Sequence, residues 1–363
     1  MKRIEFHDRE REIGQIKDII EREPTLITFI YGPINSGKTE LINYLVKQLP
    51  QNYVVFYVNL RGKFITEYKD FVRALFKIEL GKEKKEILKT VSEVSVKALK
   101  FMGIPITENI VDLLFKEKIY EDVFEFLEDY LTEIAANKEP ILILDELQVI
   151  GDVKVDDLLI YKLFNFFVRL TKELHLCHVF AVTSDSLFIE RVFNEAMLHG
   201  RRRYIRVDDF DHETTVAFLN KHGFSDNEKE KTWKYVGGKP VYLVELANSK
   251  RREKEMEELL TLRTGELETM LKTVAELGAE IAIGDIRYSV NYDGLVDSLK
   301  RYVDVDELGI NDLDEVSKRY LMDRNILFVD PLRKGIRPQS QLDLLAIREV
   351  LKLLTEHQIL NKF

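Results

Sequence analysis

Two stretches of the chain carry residue types at spacings that suit chemistry on phosphate. The first, Gly32-Pro33-Ile34-Asn35-Ser36-Gly37-Lys38-Thr39, fits the pattern G-x-x-x-x-G-K-[ST]. Gly32 and Gly37 let the backbone curl until successive N–H groups converge on phosphate oxygens, so the segment from Gly32 to Glu40 reads as a nucleotide cradle. Within it Lys38 can reach the β- and γ-phosphates, and Thr39 has the short hydroxyl that joins a Mg²⁺ shell. The second stretch, Ile141-Leu142-Ile143-Leu144-Asp145-Glu146, ends an apolar run in two carboxylates. Asp145 would hold Mg²⁺ through water, and Glu146 would orient, or take a proton from, the water that attacks a γ-phosphate. The pair implies hydrolysis as well as binding.

These residues need elements that aim them. The apolar run before Gly32 reads as a strand, and Leu41, Ile42, Leu45 and Leu49 recur at helical spacing after it, so the loop joins a strand to a helix N-terminus. Further strands are expected at Tyr53 to Val58, Ile141 to Leu144, Val179 to Val182 and Tyr204 to Val207. An amphipathic helix on Ile13, Ile16, Ile19 and Ile20 precedes the first strand, with Arg9 and Glu10 as solvated charges at its start. Thr66 to Asn137 reads as mainly helical, from Phe71, Leu75 and Ile78, from Ile87, Val91, Val94 and Ala98, and from Val123, Phe124, Leu127 and Leu131, with a break at Gly103-Ile104-Pro105. Too long for a simple crossover, it is expected to be an inserted helical layer, a partner-binding surface or ordinary packing. Thr183, Ser184 and Asp185 end the fourth strand as a γ-phosphate sensor or as a cap for the next helix. Arg201, within Gly200-Arg201-Arg202-Arg203, belongs to an exposed basic turn or supplies an arginine finger.

Beyond Asp211 the pattern is helical, interrupted by Gly237-Gly238-Lys239-Pro240, and reads as a small lid. The charged run from Lys250 to Glu255 marks passage to a last domain. There, helices at about 265–277, 292–302 and 312–325, a strand at 326–330, a turn and a return strand from Ile336 suggest a winged helix. Its third helix balances Asp312, Asp314, Glu315 and Asp323 against Lys318, Arg319 and Arg324, and Arg333, Lys334 and Arg337 sit on the wing. The expected domains are 1–208 with the insert at about 63–137, 209–258 and 259–363.

The 363 residues exceed what one core usually serves, and a hydrophobic fraction of 45% marks a folded chain. A net charge of −9 gives no general support for nucleic-acid binding. The lone Cys177 excludes an intrachain disulfide, and its alternation with His175 and His178 suits a buried strand thiol better than zinc. No apolar run is long enough to span a membrane, and the charges after Met1-Lys2-Arg3 do not suit a signal peptide, so a soluble, cytoplasmic protein is expected.

The chain resembles the archaeal ATPase family, within the STAND class of signalling P-loop NTPases and related to AAA+ proteins. The likeness rests on Phe6, Arg9, Glu10 and Glu12, on Gly32 to Thr39, and on Asp145-Glu146-Leu147-Gln148. Gly200-Arg201, Gly237 to Pro240 and Ile336-Arg337-Pro338-Gln339-Ser340 extend it over nearly the whole length. The resemblance implies ATP and ADP as ligands with Mg²⁺, Arg9 lining the adenine pocket, Arg201 near the γ-phosphate and Pro240 pressing on the adenosine. It also implies an α/β fold with five parallel strands in the order 5-1-4-3-2, then a helical lid and a C-terminal winged helix. Where the family tends to have Thr-Gly-Ser, this chain has Thr183-Ser184-Asp185. Adenine rests on the resemblance, since no guanine-reading N-K-x-D occurs.

Three functions compete. The first is an ATP-dependent molecular switch with slow hydrolysis. The second is a DNA-associated ATPase anchored by the winged helix. The third is a nucleotide-stabilised module whose insert and lid dock a protein partner.

Overall fold

The strands that carry the site residues lack polar alternation because helices cover both faces of their sheet. In chain order come α1 (Glu10–Ile20), β1 (Ile27–Tyr31), α2 (Lys38–Val46), β2 (Tyr53–Asn59), β3 (Leu99–Met102), β4 (Glu139–Asp145), β5 (His178–Thr183), α3 (Ser186–Asn194) and β6 (Arg202–Arg206). Alternate residues of each strand enter different cores. Ile30, Val55, Ile143 and Val182 pack with Ile16 of α1 and Leu41 of α2. Phe29, Phe56, Leu144 and Ala181 pack on the opposite face with Leu127 and Phe164. The computed structural model describes residues 4–79, 82–92, 97–107, 110, 121–150, 154–155, 157–194, 198, 200–284 and 286–360.

The sheet runs β6-β1-β5-β4-β2-β3, with every neighbouring pair parallel. It therefore has six strands where the sequence suggests five. The additional strand, β3, pairs Val54 with Leu99 through Tyr57 with Met102 and lies in the stretch expected to be helical. Helices do occupy Tyr68–Leu75, Lys84–Ser92 and Glu121–Ala135, but short strands Phe76–Ile78 and Ile104–Ile106 pair with each other between them. Over three or four residues, apolar spacing cannot separate a strand from one helical turn. Val94, read as part of that helical pattern, lies outside the described residues.

After β6 come α4 (His212–Lys221), α5 (Asp226–Val236) and α6 (Pro240–Asn248), which share a core of Phe218, Leu219, Val236, Leu243 and Leu246. Gly238 packs against the segment that leads from the sheet into this lid, and its carbonyl accepts from the Phe210 N–H at 2.9 Å. A Cβ there would stand 1.8 Å from the Phe210 carbonyl oxygen, which only backbone displacement could relieve. Gly238→Ala is expected to destabilise the chain by about 1–3 kcal/mol, read as a lower midpoint in urea unfolding. An unchanged midpoint would show that the lid shifts freely.

The next helix, α7 (Arg252–Leu277), is continuous through residues 258 and 259. A hairpin of Glu280–Ile283 and Ile286–Ser289 follows, which falls between the helices read from the sequence. Then come α8 (Tyr292–Lys300), α9 (Glu315–Asp323), β7 (Leu327–Asp330), β8 (Gly335–Pro338) and α10 (Gln341–Leu360), with Leu308–Gly309 as a third strand beside β8.

This C-terminal unit has its own core, yet the two cores interlock. Phe328 of β7 is buried in the core of the sheet domain, and Leu187 of α3 packs on the C-terminal core. The helix expected to enter a DNA groove, α9, buries Ser317, Lys318, Tyr320, Leu321 and Met322. Its Lys318 is paired with Glu190 of α3 at 3.4 Å and with Glu315 at 2.6 Å. Among the wing cations, Arg337 is bound to Asp208.

Candidate functional site

The phosphate cradle forms where β1 ends. Gly32 touches the chain leaving β6 so closely that a Cβ would stand 2.0 Å from the Val207 carbonyl oxygen. Asn35 and Gly37 have positive φ values of 61° and 90°, which turn the backbone into α2 at Lys38. Pro33 and Ser36 are buried, Ile34 and Thr39 half-buried, and Asn35 and Glu40 exposed. A helix N-terminus and a curled run of loop N–H groups together are an arrangement that can hold an anion.

Lys38 is buried within this loop. Its ammonium donates to Gly32 O at 3.0 Å, Pro33 O at 2.7 Å and Ser36 Oγ at 3.3 Å. Burial, followed by repulsion from Lys239, lowers its pKa to about 7. A polyanion would reverse that penalty.

The two carboxylates meet the loop from the end of β4. Asp145 Oδ2 accepts from Thr39 Oγ1 at 3.0 Å and from the Tyr57 hydroxyl at 2.5 Å. Burial raises the Asp145 carboxyl above its ordinary range, against the lowering effect of those two hydroxyls. Glu146 leaves the strand with φ 63° and is held from two sides. Arg61 Nε donates to its Oε1 at 3.0 Å, and Gln148 Nε2 to its Oε2 at 2.5 Å. Thr183 Oγ1 in turn donates to Gln148 Oε1 at 2.6 Å, linking the end of β5 to Glu146. Asp185 caps α3 by accepting from the Phe188 N–H at 3.1 Å, and Ser184 is half-buried beside it. Thr183 is thus the member of that trio coupled to the carboxylates.

Arg9 is buried and not solvated. It donates to Ser36 O at 2.8 Å and Asp208 O at 2.6 Å, with its guanidinium 4.6 Å from the centre of the Phe210 ring. The segment before α1 therefore braces the loop against the start of the lid. Pro240 opens α6, and the adjoining Lys239 donates to Ile34 O at 3.0 Å while pairing with Asp209 at 2.9 Å.

A family model described as an ATPase domain predominantly from Archaea matches residues 6–246. The chain belongs to this archaeal ATPase family. A second model, the C-terminal domain of MJ1010-like uncharacterized ATP-binding proteins, matches residues 253–351. An uncharacterized ATP-binding protein of Pyrococcus abyssi is 46% identical over 352 residues, covering 96% of this chain and 98% of that protein. One from Methanocaldococcus jannaschii is 42% identical over 363 residues, with 96% and 98% covered. A Walker-type ATPase of Pyrococcus abyssi, at 17% identity, superposes with a TM-score of 0.61 over 94% of this chain and 96% of its own. The archaeal ATPase is thus an ATP-binding protein with an ATPase domain, built on an α/β fold with a mainly parallel sheet. Among the described residues, no helix is long and apolar enough to cross a membrane.

One expected site residue of this archaeal ATPase is not brought to the others. Arg201 precedes β6, and its carbonyl accepts from the Ile27 N–H at the start of β1. The cradle follows the opposite end of β1, a five-residue strand away, or roughly 16 Å. Arg201 instead lines a groove with Phe166, Arg169 and Glu173. Arg202 and Arg203, read as part of the same turn, belong to β6. Sequence reasoning missed Arg61 and Tyr57. The only signal is their position at or just beyond the carboxyl end of a parallel strand, where ligands of such sheets bind.

Proposed function

We propose that this archaeal ATPase is an ATP-dependent molecular switch that hydrolyses its nucleotide slowly. The observation that carries this reading is that the cradle bonds to the lid and to the C-terminal unit at once. Lys239 donates to Ile34 O, and the Ile34 N–H donates to Gln339 Oε1. A ligand in the loop therefore acts on both.

In this reading the loop N–H groups and Lys38 take the β- and γ-phosphates, and Arg9 and Pro240 flank the adenosine. Thr39 and Asp145 are hard oxygen donors already within 3.0 Å of each other, a set that suits Mg²⁺. When bound, the ion neutralises phosphate charge. Glu146 takes a proton from water as the water oxygen bonds to the γ-phosphorus. The bond from that phosphorus to the bridging oxygen breaks, leaving ADP and inorganic phosphate. Slowness follows from the grip on Glu146, whose carboxylate is engaged by Arg61 and Gln148 instead of being free to meet water.

Arg61→Ala tests this. The Arg61 side chain is 65% exposed, so its pairing is screened and worth about 1 kcal/mol at most. Turnover is expected to rise about two- to fivefold with ATP affinity unchanged. A fall in turnover would make Arg61 a participant in hydrolysis and not a restraint. The pairing of Lys318 of α9 with Glu190 and of Arg337 with Asp208 favours the switch over a DNA anchor.

A further inference from the structure

The C-terminal unit is fastened to the rest of the molecule through the phosphate cradle itself. Gln339 lies just beyond β8, is buried, and has every polar group engaged. Its Oε1 accepts from the Ile34 N–H at 3.1 Å, and its Nε2 donates to Leu327 O at 3.1 Å. Its own N–H donates to Ile326 O at 2.9 Å, and its carbonyl accepts from Lys239 Nζ at 2.7 Å. Such full engagement holds the side chain in one orientation, with its amide oxygen aimed at the loop. The group it meets is a backbone N–H of the loop that, in the switch reading, takes the phosphate oxygens.

We propose that Gln339 is a built-in competitor of the triphosphate, its amide oxygen taking the place of a phosphate oxygen on the Ile34 N–H. This deepens the switch reading and rests on ATP occupying the cradle. ATP binding then breaks the Ile34–Gln339 bond and loosens, without severing, the docking of β7 and β8. Other contacts remain: Arg206 holds Asp330 at 2.7 Å, and the Tyr31 hydroxyl donates to Asp330 at 3.0 Å. Gln339 therefore reports the state of the cradle to the C-terminal unit, while the arginine pairs keep that unit attached.

The test uses the full chain as wild type, Gln339→Met, Gln339→Ala and Lys38→Ala. Methionine keeps the volume but offers no comparable acceptor, so it separates the lost bond from a packing defect. ATP affinity would be measured by calorimetric titration, and hydrogen exchange followed over residues 32–40 and 326–340 with and without ATP. Gln339→Met is expected to bind ATP about two- to tenfold more tightly, the scale of one intramolecular hydrogen bond no longer broken on binding. In wild type, ATP is expected to raise exchange over 326–340. Equal or weaker affinity in both Gln339 variants would overturn the competitor and leave ATP binding intact. A wild type that binds no ATP would overturn the cradle reading and the competitor together.

Discussion

Lys38→Ala is expected to abolish tight ATP binding, weakening it about thirtyfold to a thousandfold, the usual effect of truncating one member of a buried, hydrogen-bonded charge pair. The ammonium is folded back on three oxygens of its own loop, so it is already desolvated and directed into the cradle. Little reorganisation is needed for it to exchange carbonyls for phosphate.

Its depressed pKa adds a second signature. With a value of about 7 in the free chain, Lys38 is largely neutral at pH 8. A bound triphosphate favours the charged form and raises that value. Between the free and bound pKa values, binding therefore takes up a proton. Affinity contributed by this residue is full below pH 7 and falls as pH rises through the interval above it. Calorimetry at pH 8 in buffers of different ionisation enthalpy reads the uptake directly. The signal is expected in wild type and absent in Lys38→Ala. Binding within threefold of wild type in the variant would remove Lys38 from phosphate recognition.

Glu146→Gln is expected to keep ATP binding and slow hydrolysis at least roughly a hundredfold, the scale of a general base. The amide preserves the size of the side chain but cannot take the proton of the attacking water. It also cannot accept from both Arg61 and Gln148, since its NH₂ faces a donor on one side. The local network is therefore expected to shift without disturbing the cradle, since the Glu146 carboxylate is held by Arg61 and Gln148, which lie outside it. Denaturing the purified proteins and chromatographing the released nucleotide reads the outcome. ADP from the wild type and ATP from the variant would mark a switch that hydrolyses and holds its product. Unchanged turnover would exclude Glu146 as the base.

Lys38, Thr39, Asp145 and Glu146 were legible because each lies in a short contiguous pattern whose meaning needs only its flanking elements. An apolar run ending in acids places those acids at the carboxyl edge of a buried parallel strand whichever neighbours that strand acquires. The same logic was available for Arg201 and points away from the site. A residue before a parallel strand stands at the edge opposite to a loop that follows one. Three consecutive arginines suggested chemistry, whereas strand direction decided their place.

The sequence by itself determined the local devices: the glycine turns of the cradle, its helix N-terminus, the acidic strand end and the succession of apolar strands and helices. Each depends on backbone sterics and periodicity over fewer than about ten residues. Tertiary structure alone decided that Arg61 grips Glu146 across 85 positions, that Arg9 is buried against Ser36 and Phe210, and that Gln339 reaches Ile34 across 305. An arginine or a glutamine carries no mark of its distant partner. Whether its polar groups meet water, a carboxylate or a backbone N–H is settled only when the chain closes and the groups left without solvent must find one another.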